Sequence, residues 1–224
     1  FRPQYQYLDQ NKEAEERIYE GETPGVSYGD IAERYYTVGQ YMKEVKDVSK
    51  AMAAAGDSYI CDEYLNAMGS PEAESVYVLH DLNNDGIEEF FIGLKFNYDI
   101  PYYVIYDVYT WKDGRAYQLM RGIGYRNGSC KICENGVIED NYSGSAWDGQ
   151  TLYHILPEGG IELETIDSVS SRRDGTVQSY YHWNELIDEN SLQTILEQYQ
   201  PESVTYVDCN RETIEQLRLS GIRK

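Results

Sequence analysis

Four oxygen-bearing side chains recur along one short run of this chain, Asp81-Leu82-Asn83-Asn84-Asp85-Gly86-Ile87-Glu88-Glu89. Asp81, Asn83, Asp85 and Glu89 take the first, third, fifth and ninth positions, and Gly86 takes the sixth. A hard divalent cation such as calcium collects about six to eight oxygens around one point, and alternate residues of a tight loop supply them. Gly86 permits a turn that a residue with a Cβ resists, and the main-chain carbonyl of Ile87 fills the seventh position. The spacing therefore predicts a structural Ca2+ site built from Asp81, Asn83, Asp85, Ile87 and Glu89, completed by water or a distant carboxylate. The twelfth position, where a helix-loop-helix site places a bidentate Glu, is Ile92. The alternative is an Asn-Asp-Gly hairpin turn that binds nothing. A turn alone has no use for Asp81 and Glu89, which favours the metal.

Other chemistry is sparse. There is no H-E-x-x-H, G-x-S-x-G or phosphate loop, and Gly122-Ile123-Gly124 lacks the third glycine of a dinucleotide site. His80, His154 and His182 are scattered; His80 adjoins the loop, but imidazole is a poor calcium ligand and a strand-end residue is the plainer reading. With 39 acidic residues, a catalytic pair of carboxylates is possible anywhere, so no catalytic residue is assigned. Trp111, Trp147 and Trp183 are candidates for stacking on a glycan or peptide, although Tyr and Trp also cover half-buried sheets. Cys130 and Cys133 form a C-x-x-C, but Glu134-Asn135-Gly136 after it reads as a turn rather than the helix of a redox site. Cys61 and Cys209 stand singly, which does not make a four-thiolate zinc set. Four structural or free thiols are expected, with pairing left open.

The elements that must position the loop follow from periodicity. Val76-Tyr77-Val78-Leu79 before it and Phe90-Phe91-Ile92 after it read as strands, so the loop joins two strands rather than two helices. From residue 75 to 183, turn signals such as Asp85-Gly86, Asp113-Gly114, Asn127-Gly128, Asn135-Gly136 and Asp174-Gly175 separate short aromatic and β-branched runs. This predicts an antiparallel meander of about seven to nine strands. Helices flank it over 30–69 and 190–219. The first is capped by Asp30 and carries Ile31, Tyr35, Val38, Met42, Val45 and Met52; the second carries Ile60, Tyr64, Leu65 and Met68. Asn190 or Ser191 caps a later helix with Leu192, Ile195, Leu196 and Tyr199, and Asn210 caps one with Ile214 and Leu217. The fold class expected is α+β, with a polar stalk or linker at 1–26 and a single domain at 27–224.

A net charge of −20 over 224 residues excludes nucleic-acid backbones and anionic membranes as natural partners. No apolar run approaches the roughly 18 residues of a spanning helix. A start at Phe1 instead of Met fits the expectation of a processed or truncated chain, from which any signal peptide would already be gone.

The run from Val76 to Phe90 resembles a motif of uncharacterised secreted proteins and lipoproteins of Gram-positive gut bacteria. In these a strand leads into an Asp-rich glycine loop and then into Glu and apolar residues. Tyr106-Asp107-Val108-Tyr109-Thr110-Trp111-Lys112-Asp113-Gly114 is similar to the strand that follows there, and the loop resembles those of integrin-type and dockerin repeats. The resemblance spans about residues 70–185. It implies an extracytoplasmic location, secreted or lipid-anchored at the cell surface, and calcium, with no known enzymatic activity. The expectation is a calcium-binding, non-enzymatic binding module. The alternative is an extracellular hydrolase acting on glycans or peptides.

Overall fold

The computed structural model describes residues 18–22, 27–45, 47–55, 60–124, 130–143, 147–157, 160–170, 177–183 and 185–220. The protein is α+β with antiparallel sheets, as the alternation of turns and apolar runs requires. The turns expected at Asn127-Gly128 and Asp174-Gly175 lie outside the described residues. The chain divides into two compact units. The first holds the described residues within 19–81, 86–123 and 204–220, and the second those within 82–85 and 124–203.

The first unit contains helices α1 (Tyr28–Val45), α2 (Val48–Ala55), α3 (Asp62–Met68) and α5 (Arg211–Ser220). Its six-stranded sheet runs β1 (Ile18–Glu22), β5 (Arg115–Arg121), β4 (Tyr102–Lys112), β3 (Glu89–Phe96), β2 (Ala73–His80) and β12 (Val207–Asp208). β1 falls within the segment read from sequence as a stalk. The apolar stripe of α1 is buried through Ile31, Tyr35, Val38 and Met42, and packs with Tyr64, Leu65, Phe90, Leu94, Ile214 and Leu217 into one core. The stripe does not run on: α1 ends at Val45, which is 40% exposed, and Asp47 opens α2 by accepting the Lys50 amide at 3.1 Å. The side chain of Met52 lies outside the described residues.

The cap of α1 is one turn earlier than Asp30. Ser27 is the capping residue: its Oγ accepts the Asp30 amide at 3.1 Å, while Asp30 Oδ2 accepts the Ser27 amide at 3.1 Å. This reciprocal pair is a capping box with Asp in the Glu position. α3 begins after Cys61, whose sulfur accepts the Tyr64 amide at 3.4 Å, and stops at Gly69 as expected. Asn210 caps α5, taking the Glu212 and Thr213 amides on Oδ1 at 3.0 and 3.1 Å.

β3 is buried at nearly every position, which explains its unbroken Phe90-Phe91-Ile92 run. Its pairing with β4 shifts register between Ile92 and Gly93. At Gly93 the β4 backbone comes so close that a Cβ would run into the Val104 carbonyl oxygen.

The second unit contains α4 (Glu189–Leu196) and a sheet in the order β11 (Glu185–Ile187), β10 (Val177–His182), β9 (Ile161–Ser170), β8 (Trp147–Ile155), β7 (Val137–Ser143) and β6 (Cys130–Cys133). The predicted meander region holds nine strands, β2 to β10, within the seven to nine expected, and they are divided between two sheets, because short runs on both sides of Gly122–Gly124 read alike in sequence. Leu192 of α4 packs with Cys133, Val137, Leu152 and Ile166, flanked by Ile195, Leu196 and Tyr199. Asp188 caps α4, its Oδ1 accepting the Ser191 amide at 2.7 Å; neither Asn190 nor Ser191 does so.

None of the four cysteines is in a disulfide, and all are buried. Cys130 and Cys133 lie on strand β6, not at a helix start. Burial pushes the Cys133 and Cys209 thiols up to about 12 and the Cys61 thiol well above its usual range. Thiols held protonated in this way are poor nucleophiles.

Candidate functional site

The predicted loop joins β2 to β3 as expected, and the two strands pair from Ala73 with Phe96 to His80 with Glu89. Between them the chain is held by short hydrogen bonds. Asp81 Oδ2 accepts the Gly86 amide at 3.0 Å, and Asn83 Oδ1 accepts the Asp85 amide at 3.2 Å. Asn84 and Gly86 adopt φ of +59° and +86°, the left-handed conformation that such turns need and that Asn and Gly accept most readily. Asn83 Nδ2 donates to Asp85 Oδ2 at 3.2 Å and to the Leu156 carbonyl at 3.1 Å.

Glu89 begins β3 and is only 1% exposed, with Thr110 Oγ1 donating to its Oε1 at 3.1 Å. Burying a carboxylate is costly unless other groups satisfy it. The donor set is all oxygen, which suits calcium in chemistry. The arrangement is that of a hydrogen-bonded turn: among the described residues no three His, Cys, Asp or Glu side chains are gathered to hold a metal ion.

The three tryptophans are divided between the two units. Trp111 lies edge-on to Tyr28, ring centroids 5.8 Å apart, in the first unit's aromatic packing. Trp183 is 51% exposed with φ of +49° in the second unit. Trp147 begins β8, and its side chain lies outside the described residues.

Two polar clusters escape the sequence reading. In the second unit, His154 and His182 set their Nε2 atoms 2.9 and 2.6 Å from the two oxygens of Glu164, and Tyr199 donates to Oε2 at 2.6 Å. Burial works to raise the Glu164 pKa, but hydrogen bonds from His154, Tyr199 and His182 and the charge of His154 outweigh it and bring it to about 2. The signal lay in strand phase. His154 pairs with Glu162 and His182 with Ile166, so both flank Glu164 diagonally on one sheet face.

In the first unit, Asp107 is fully buried, accepting from the Tyr35 hydroxyl and from the Gly122 amide at 2.9 Å. Tyr35 meets Tyr109 at 2.9 Å, and Gln118 donates to Tyr109 at 3.2 Å. Burial raises Asp107 to about 6 against the lowering effect of these donors and of Arg121. With Tyr35 and Tyr109 completely enclosed, this network ties helix to sheet.

Comparison with known protein families, curated proteins and solved structures finds no match for this chain.

Proposed function

We propose that the protein is an extracytoplasmic calcium-binding module, secreted or anchored at the cell surface, that holds a ligand without transforming it. The observation that carries the reading is the curl of the loop, in which Asp81 takes the Gly86 amide across five residues and Glu89 buries a carboxylate at its far end. Asp81, Asn83, Asp85, Glu89 and the Ile87 carbonyl would hold the ion. Bound calcium would neutralise the loop's carboxylates and pin the β2–β3 hairpin. A net charge of −20 supports cation binding over binding to polyanions. The cysteine count gives the location no support, because none of the four is in a disulfide. Fractionation of the native cells tests location: recovery only from cytosol contradicts it.

A second reading, a hydrolase of glycans or peptides, has one observation in its favour. Glu164, held ionised, orients two imidazoles that are each about a quarter exposed, 27% and 26%, and an imidazole set by a carboxylate is a serviceable general base. Turnover of glycan or peptide substrates that is lost in Glu164→Gln would establish this reading over the first.

A further inference from the structure

The short end strand β6 carries a lysine whose amine meets a buried carboxylate. Lys131 pairs directly with Glu139 of β7, and its Nζ donates to Glu139 Oε1 at 3.0 Å. Glu139 is only 5% exposed. The same oxygen accepts from Asn141 Nδ2 at 2.6 Å and from Gln150 Nε2 at 3.3 Å, while Cys133 Sγ lies 3.8 Å from Oε2. Asn141 stands two residues beyond Glu139 on β7, so both side chains leave the same face of the sheet. An amine, a carboxyl group and a carboxamide thus meet at one atom.

A plain cross-strand ion pair has no use for the carboxamide, and exposed pairs of that kind contribute little to stability. Here the carboxylate is buried, where it is costly unless satisfied, and it holds the amine and the amide against each other. Lys131 is the diagonal neighbour of Asn141, with Cβ atoms about 7–8 Å apart in such a pair, a gap that the lysine stem spans. The Lys131 side chain is 44% exposed, so the stem has room to swing from Glu139 onto the amide carbon beside it.

We propose that Lys131 and Asn141 join in an intramolecular isopeptide bond, with Glu139 as the catalytic acid and base. The Lys131 ammonium passes a proton to Glu139, and the free amine attacks Cγ of Asn141. The Nζ–Cγ bond forms. The Cγ–Nδ2 bond breaks as Glu139 returns the proton to the departing nitrogen, and the surplus Nζ proton leaves by the same carboxyl group. One ammonium and one carboxamide become one secondary amide and one ammonium ion, so atoms and charge balance and nothing is oxidised or reduced. Holding the groups together supplies the reactivity that a free amide lacks. The bond ties β6 to β7 and closes the chain from 131 to 141 as a disulfide closes a loop, in a protein whose four cysteines form none. It stands apart from both the calcium reading and the hydrolase reading.

The test is intact-mass spectrometry of the full chain after prolonged incubation at neutral pH, followed by proteolysis and peptide mapping. It is repeated on Glu139→Gln, Lys131→Arg and Asn141→Ala, with circular dichroism confirming the fold of each. The proposal expects the wild type to weigh one ammonia less than its sequence, with a branched peptide joining Lys131 to Asn141, and each variant to keep its full sequence mass. A wild type at full sequence mass overturns the proposal whatever the variants do. So does an ammonia loss that maps to succinimide at Asn127-Gly128 or Asn135-Gly136, or to a link from Lys131 to Gln150. A Lys131–Asn141 link that still forms in Glu139→Gln overturns the role of the carboxyl group.

Discussion

The amide of Gly86 donates to Oδ2 of Asp81 over 3.0 Å, closing the loop between its first and sixth positions. Gly86 does so at φ of +86°, with open space where a Cβ would stand. Gly86→Ala therefore meets backbone strain and no clash, and should destabilise the metal-free protein by about 1–2 kcal/mol. Urea denaturation measures this, and an unchanged midpoint would contradict the strained turn.

Gly93→Ala should be far worse. There the added Cβ meets the Val104 carbonyl oxygen, a backbone atom of the neighbouring strand, and the β3–β4 bulge must open to admit it. A loss of about 3 kcal/mol or more is expected. A variant within about 1 kcal/mol of wild type would show that the bulge is softer than its geometry implies.

Glu164 sets an acid limb of the stability curve. Its pKa lies at about 2 in the folded protein against 4.5 unperturbed, so its contribution is complete above about 4.5 and is lost as pH falls through about 2. Discounted for the partial exposure of its histidine partners, the loss is on the order of 1–2 kcal/mol. Thermal melts of wild type and Glu164→Gln between these pH values should differ in slope, with the variant flatter. Parallel curves would mean that the cluster contributes nothing to folding.

Asp107 acts in the opposite sense. Its folded pKa is raised to about 6 from 3.8, so the folded state binds the proton more tightly than the unfolded chain does. Stability should rise as pH falls from about 6 towards 4, by on the order of 1–3 kcal/mol. Asp107→Asn keeps an acceptor for the Gly122 amide and removes the titration, so its curve should lack that rise. A wild-type curve that falls over this window once the same change in Asp107→Asn is subtracted would contradict the burial argument.

The fold was largely legible because its signals are local. The β2 and β3 strands, the α1 stripe from Ile31 to Met42 and the Asn210 cap all follow from spacing within a few residues. What stayed hidden depends on pairing between distant segments. Glu164 meets His154, His182 and Tyr199 only through two strand registers and the segment that follows α4, and Asp107 meets Tyr35 across 72 positions of chain. The division into two sheets was hidden for a similar reason, since turns within a sheet and turns between sheets use the same residues.

Calorimetric melting of the intact protein with calcium and with chelator tests the central claim most directly. At a calcium concentration about 100 times the dissociation constant, a site that forms only in the folded loop adds roughly 2.7 kcal/mol of stability. The account predicts a higher melting temperature in calcium, abolished by Asp85→Ala, and no comparable effect of magnesium. Identical melting temperatures at millimolar calcium and in chelator, or a shift that persists in Asp85→Ala, would contradict it.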